Sequence, residues 1–283
     1  MSDLPKISIL TLLNKNKYDF DSLMIRNINS FKYNKKLLEW VIYDDSKKSL
    51  TSQEILDIKN KVKSIKLIYH HSNNKKSKGS KRNELVKLSN NKYLINMDYD
   101  KIYFPTYIIH SINKLKESKS GLVGTLNMLF IYPNLNYSTS YLKSYSTRQI
   151  YEETMCFTKK HYMSMGGFTN SNIGEGSKLI DFNNKISTTE STETMMFICY
   201  DKYKDKYNDY LFKKQVFIKI NEDYINILNN ILNVTYDKNN IRNFKKEAEQ
   251  KERELQEKLE KEKLEKEKLE KDEGKNDIMD NNI

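Results

Sequence analysis

The stretch that most limits what this chain can fold into is residues 93–100, Tyr-Leu-Ile-Asn-Met-Asp-Tyr-Asp, a short apolar run that ends in two carboxylates one residue apart. It reads as a buried strand delivering Asp98 and Asp100 to a sheet edge. Side chains two apart on a strand share a face, and a turn just after the strand can bring both carboxylates to one cation. Hard oxygen ligands of this kind suit magnesium or manganese holding a phosphate. Alone, the same pattern is equally a solvated turn, so its meaning rests on the segments around it.

Those segments alternate in period. Residues 7–11, Ile-Ser-Ile-Leu-Thr, predict a first buried strand, followed by a polar loop over 14–17. Asp19 or Asp21 can then cap a helix whose Phe20, Leu23, Met24, Ile28 and Phe31 recur every three to four residues. Residues 38–43 form a second strand running directly into Asp44, Asp45 and Ser46. Strand, helix and strand in this length of chain imply a right-handed crossover and a parallel sheet. A helix over 52–62 with Ile55, Ile58 and Val62 on one face and a third strand over 65–69 continue the pattern. The expected class is therefore α/β, with a Rossmann-like, mostly parallel sheet flanked by helices.

In open α/β sheets ligands bind outside the carboxyl ends of the strands, where a carboxylate commonly receives ribose hydroxyls or a base N–H. Asp44 and Asp45 are candidates for that role, although Asp-Asp-Ser also serves as a helix start or turn. His70 and His71 are expected in a surface loop, because adjacent residues on extended chain face opposite ways and no nearby cysteine completes a metal site. Residues 73–82 are intensely basic and are expected to open a helix over 83–88. Free N–H groups at that helix start, with Lys81 and Arg82, would make an anion site. It is not a Walker A loop, since only Gly79 is present and the G-x-x-x-x-G-K spacing is absent.

Further on, Pro105 begins a helix with Ile108, Ile109, Ile112 and Leu115 as its buried face, and 121–132 reads as extended chain. Residues 134–151 read as a lid or a long loop, 194–200 and 215–220 as late strands, and 224–232 as a last packed helix. Cys156 and Cys199 sit in apolar contexts without metal-ligand spacing and read as small buried hydrophobes.

Together these pieces carry a resemblance. Residues 7–11 with Asn14, then Val-Ile-Tyr-Asp-Asp-Ser over 41–46, then Gly-Ser-Lys-Arg-Asn over 79–83, then 93–100, resemble glycosyltransferase family 2 of the GT-A fold in order and spacing. Downstream, Gly-Gly-Phe-Thr from Gly166 and Gly-Glu-Gly from Gly174 resemble that family's acceptor-side segment. The resemblance covers about residues 6–180, and the Lys/Asn/Ile/Tyr bias is similar to that of glycosyltransferase-like proteins of large DNA viruses.

The resemblance implies that Thr11 and Asp44 or Asp45 contact the nucleoside, and that Arg82 lies near the diphosphate of a UDP- or GDP-sugar donor. It implies that Asp98 and Asp100 hold Mn2+ or Mg2+, Asp98 also serving the donor, and that Glu175 sits on the side of a protein or glycan acceptor. Relatives often carry Gly-Glu-Asp there, with the Asp as base. Here Gly176 replaces it, so either Glu175 is the base or activity is impaired. Some GT-A enzymes add a late His ligand, and this chain has no His after His161. The implied reaction is direct displacement at the anomeric carbon with inversion. Tyr99, Tyr103, Phe104 and Tyr132 are placed to form either a sugar-stacking wall or part of the core.

The domain expected over 1–239 divides into a nucleotide-binding half, about 1–104, and an acceptor half, about 105–239. A charged tail follows over 240–283. The whole chain of 283 residues carries a formal charge of +11. The tail holds 12 Lys/Arg and 14 Asp/Glu, so the body upstream carries +13. Such a surplus attracts polyanions, among them the diphosphate of a small donor. A nucleic-acid partner is not expected. The tail repeats Glu-Lys-Leu-Glu-Lys every five residues, which turns successive leucines by about 140° on a helix, leaves no apolar seam and disfavours a coiled coil. A solvated single helix held by Glu-first pairs four apart is expected. The apolar run 7–13 is too short to span a bilayer, and the expected setting is cytoplasmic. Besides a metal-dependent glycosyltransferase, two readings stand: an inactive sugar- or polyanion-binding module on the same fold, and a nucleotidyltransferase. Against the last, residues 12–18 lack the glycines of a phosphate loop.

Overall fold

The computed structural model describes residues 4–14, 19–118, 120–144, 149–180, 187–200 and 218–232, together with 250, 253–254, 257 and 260–261. Its contacts divide the chain into two compact units, Met1–Val234 and Thr235–Ile283. All the elements below belong to the first.

Alternating apolar blocks build the expected crossovers. Strands β1 (Ile7–Leu13), β2 (Leu38–Asp44) and β3 (Lys66–His71) pair in parallel with β2 in the middle, β1 meeting it in the register Ile7 to Leu38 through Leu13 to Asp44. On the other side of β1 lies β4 (Tyr93–Asn96), also parallel, with Ile7 opposite Tyr93. Beyond β4 come β9 (Cys156–Thr158), antiparallel to it, then β6 (Leu122–Gly124) and the short β10 (Ser187–Thr188), completing a seven-stranded sheet of order β10-β6-β9-β4-β1-β2-β3. A four-stranded sheet joins β5 (Lys101–Tyr103), β11 (Met195–Ile198), β7 (Met128–Tyr132) and β8 (Ser138–Leu142), in that order. This is a mixed α/β fold with a largely parallel central sheet flanked by helices, of the GT-A, Rossmann-like kind.

Helix α1 (Asp21–Ser30) buries the predicted stripe, and Asp19, not Asp21, accepts the first N–H, from Asp21 at 2.9 Å. Helix α2 (Ser52–Lys61) starts on a capping box between Thr51 and Glu54, which satisfies two otherwise orphan N–H groups. Helix α4 (Tyr107–Glu117) buries Tyr107, Ile108, Ile112 and Leu115, leaving Ile109 half-exposed. Helix α7 (Glu222–Leu232), which follows the short helices α5 (Lys159–Ser164) and α6 (Ser191–Thr194), buries Tyr224 and Leu228 against the second sheet.

Four expectations change. Helix α3 (Lys78–Leu88) begins five residues before the expected start, capped by Ser77, whose hydroxyl accepts from Ser80 N. His70 and His71 close β3 instead of lying in a loop, and His71 Nε2 bonds the Ser46 carbonyl at 2.9 Å. Within the stretch expected as lid or loop, β8 is an edge strand paired to β7. Residues 218–220 are not strand, and the rest of the strand expected over 215–220 lies outside the described residues, as does most of the tail. Of the aromatic wall, Tyr103 and Tyr132 are core residues, and Tyr99 and Phe104 pack against the core of the second sheet. Both cysteines are buried and free. Among the described residues no helix is long and apolar enough to cross a membrane.

Candidate functional site

The chain runs β1, β2, β3 to one side and then returns to place β4 on the other, so the strand order reverses between β1 and β4. Ligands of open α/β sheets bind in the crevice at such a switch point. The ends of β1, β2 and β4 and the start of α3 meet there. Thr11 is fully buried on β1, and its hydroxyl accepts the Trp40 indole N–H at 2.9 Å, which leaves it turned into the sheet. Asp44 is buried too, its oxygens accepting from Ser46 N at 2.9 Å and Tyr69 Oη at 2.5 Å. Asp45 is the accessible one of the pair. It accepts from Asn14 Nδ2 at 2.9 Å and is ion-paired with Lys81 of α3.

The expected anion site at the start of α3 is filled by the chain itself. Lys78 N donates to Asn172 Oδ1 and Gly79 N to the Ser171 carbonyl, both at 2.9 Å. A Cβ at residue 79 would collide with the Thr169 carbonyl oxygen, which is why a glycine stands in the first turn of a helix. Arg82 then points inward, fully buried. Its Nε donates to Glu175 Oε1 at 3.0 Å and its Nη2 to Asp98 at 3.2 and 3.3 Å. Its Nη1 has no partner among the described residues.

Around this guanidinium lies a dense charge cluster. Lys78 Nζ stands 3.4 Å from Glu153, 3.6 Å from Glu175 and 3.9 Å from Asp98. Lys101 Nζ holds Asp100 Oδ1 at 2.5 Å. Burial alone would raise the Asp98 carboxyl, but Arg82, Lys78 and Lys101 outweigh it and hold Asp98 below its ordinary value. Burial likewise pulls Lys78 and Lys101 down, and the facing carboxylates more than reverse it. Five carboxylates (Asp98, Asp100, Glu152, Glu153, Glu175) thus face three cations (Lys78, Arg82, Lys101), an excess of two negative charges.

Among the described residues no three His, Cys, Asp or Glu side chains are grouped to hold a metal ion. The two aspartates still fit the way magnesium and manganese are commonly held, by one or two carboxylates with the remaining ligands from substrate phosphates and water. Asp100 keeps Oδ2 free of hydrogen bonds among the described residues, and the cluster's excess negative charge suits a divalent cation.

Glu175 is drawn into the cluster. It is 1% exposed, with Oε1 shared by Arg82 and Lys78. The neighbouring Gly174 has φ +64°, a turn that favours glycine, whereas Gly176 has an ordinary φ of −82°. Glycine at 176 answers to space: a Cβ there would lie 2.5 Å from Met155 Cε and 2.9 Å from Glu152 Cγ.

The structure therefore brings Arg82, Asp98, Asp100 and Glu175 into one cluster, puts Asp45 at its rim, and turns Thr11 and Asp44 into the sheet. Lys78, Lys101, Glu152 and Glu153 were not read from the sequence. The adjacent pair Glu152-Glu153 before an apolar strand was the one available signal.

No curated protein matches this sequence. Among solved structures, the mannosyltransferase PcManGT from Pyrobaculum calidifontis, in complex with GDP-Man and Mn2+, superimposes with a TM-score of 0.57 at 12% identity, over 75% of this chain and 63% of its own. The chain thus spans less than two thirds of that enzyme's length. Residues 1–349 of S. aureus TarS superimpose with a TM-score of 0.51 at 13% identity, over 79% of this chain and 69% of theirs. At such identities the likeness speaks for the fold. The sequence itself speaks for the family: residues 16–171, more than half the chain, match glycosyl transferase family 2, and the chain belongs to that family.

Proposed function

We propose that this chain is a metal-dependent glycosyltransferase that moves a sugar from a UDP- or GDP-sugar to a hydroxyl of a protein or glycan acceptor, with inversion. The observation that carries this reading is the charge cluster of Asp98, Asp100, Arg82 and Lys78 at the switch point of the parallel strands, in a member of family 2. Asp45, flanked by Asn14 and Lys81, is suited to take the ribose or base of the donor. Lys78, about one-third exposed, is suited to reach the diphosphate, with Arg82 fixing the Asp98 carboxylate beneath it. Asp98 and Asp100 would hold Mn2+ or Mg2+, which when bound neutralises the departing diphosphate. The acceptor hydroxyl attacks the anomeric carbon from the opposite side, and a carboxylate takes its proton.

The mannosyltransferase with the same fold carries GDP-Man and Mn2+, which supports a donor of this class here. The nucleotide-binding half is assigned to about 1–104 and the acceptor half to about 105–239, in a cytoplasmic protein. The likeness to proteins of large DNA viruses rests on composition alone. A second reading, donor binding without transfer, draws on Gly176 and on the protein cations already paired to Asp98 and Asp100. Calorimetry with UDP and GDP, with and without Mn2+, followed by transfer assays across the common UDP- and GDP-sugars, tests both. Metal-dependent nucleotide binding with transfer supports the enzyme. Binding without transfer from any donor favours the second reading, and no binding refutes both.

A further inference from the structure

Of the five carboxylates in the cluster, four are matched by a cation. Asp98 and Glu175 face Arg82, Glu153 faces Lys78, and Asp100 faces Lys101. Glu152 makes no ion pair among the described residues, although it sits in their midst. Its position is built by three fixed points. It opens the turn Glu152–Thr154 ahead of β9, and its carbonyl accepts Asn96 Nδ2 at 2.6 Å, tying the turn to the end of β4. Its Oε1 accepts the Gly176 N–H at 3.2 Å. Its Cγ, with the end of the Met155 side chain, also crowds the space that a Cβ at residue 176 would need. Unlike Glu175, it is only part-buried.

We propose that Glu152 is the catalytic base of this chain, the group that takes the proton of the acceptor hydroxyl. The proposal rests on the glycosyl-transfer reading above. As the acceptor oxygen bonds to the anomeric carbon, the bond from that carbon to the diphosphate oxygen breaks and its electron pair leaves with the nucleoside diphosphate. The acceptor's proton passes to the Glu152 carboxylate. Burial, then the charges of Glu175 and Glu153, raise the Glu152 carboxyl above its ordinary value, the direction that strengthens a base. The other charged groups near it are Lys78 and Arg82 of α3 and Asp98 beyond β4. Lys78 and Arg82 are engaged with carboxylates other than Glu152, and Asp98 is engaged with those two cations.

Glu152→Gln separates this role from a structural one, because the amide oxygen still accepts from Gly176 N. The expected result is a fall in kcat for transfer of about 10²- to 10⁴-fold, the usual share of a general base, with UDP or GDP affinity changed less than about twofold. The acid limb of the pH–rate profile should disappear with it, and should survive in Glu175→Gln. A rescue pair adds a second readout. Glu152→Ala removes one of the two side chains beside residue 176 and leaves only the flexible end of Met155 to shift, so adding Gly176→Asp should regain at least about tenfold over Glu152→Ala alone. An active wild type with unaltered transfer in Glu152→Gln overturns the role of Glu152 and leaves the glycosyl-transfer reading standing. Loss of nucleotide binding in step with transfer also overturns it, by showing a structural clamp. A wild type that transfers from no donor refutes the transfer reading and this role with it.

Discussion

Glu175→Gln should destabilise the protein before it does anything else. Arg82 is fully buried, with Glu175 Oε1 at 3.0 Å and Asp98 at 3.2 Å as its counter-charges. Breaking one side of a buried ion pair costs about 3 to 5 kcal/mol, because the surviving charge has no water to return to. The amide oxygen of Gln keeps the hydrogen bond from Nε, worth about 1 kcal/mol, and Asp98 still balances part of the charge. The expected loss is therefore about 2 to 4 kcal/mol. For a body of this size each kcal/mol moves the melting temperature by about 2 to 4 °C, so the midpoint should fall by about 4 to 16 °C. Trp40, the single tryptophan and fully buried, makes its fluorescence a direct reporter of the melt. Combining the change with Arg82→Met should be non-additive by about 1 to 3 kcal/mol, since the two groups share one interaction. A midpoint within about 1 °C of wild type would show that Glu175 is not the counter-ion of Arg82, and the account of the cluster would fail.

Asp100→Ala should abolish Mn2+-dependent nucleotide binding by calorimetry and also lower the melting temperature, because it leaves the buried Lys101 ammonium without its partner at 2.5 Å; equal metal-dependent binding would remove the ion from this residue. Thr51→Ala should cost about 1 kcal/mol, since the hydroxyl that accepts the Glu54 N–H goes while the residue-51 N–H keeps its bond to the Glu54 carboxylate, and an unchanged melting curve would refute that. Burial opposes the charge on Glu39, yet bonds from Asn90, Ser8 and Lys66 hold its carboxyl below the ordinary value. Its stabilisation is thus present above the unfolded-state value and lost as the pH falls through the folded one. Wild type should lose stability faster than Glu39→Gln as acid is added below about pH 4.5, and parallel acid melts would contradict this. Removing residues 240–283 should leave the melting temperature and nucleotide affinity of the body unchanged, given that the tail's charges nearly cancel within it; a large loss in either would move the domain boundary.

The parallel core was legible because each of its strands is an apolar block bounded by polar turns, and helices of period 3.6 stand between them. That pattern is local. It located β1, β2 and β4 and the buried faces of α1 and α4 without any knowledge of what they pack against. Helix α3 was misjudged for the opposite reason. Its first turn, Lys78 to Lys81, is polar and carries a glycine, and it is held by Ser171 and Asn172, more than ninety residues away. The one local signal was Ser77, three residues ahead of Ser80. Strand β8 was hidden because an edge strand with alternating Ser and Thr looks like a loop until β7 supplies its ladder.

The charge pairing of the site lies further beyond the sequence. Asp98 and Asp100 are recognisable from their spacing, but their partners are not: Arg82 and Lys78 belong to a segment that looks like a basic loop, and Lys101 looks like one more surface lysine. Read from the sequence alone, Glu175 is the carboxylate beside a Gly176 that has no side chain, and nothing local shows what neutralises it. In three dimensions a carboxylate's role follows from what already neutralises it. Arg82 takes Glu175 and Lys101 takes Asp100, while a Cβ at 176 would meet Met155 Cε and Glu152 Cγ. The position without a side chain and the unmatched carboxylate, 24 residues apart in the chain, thus adjoin in the fold, joined by the bond from Gly176 N to Glu152 Oε1. No motif confined to either segment contains it.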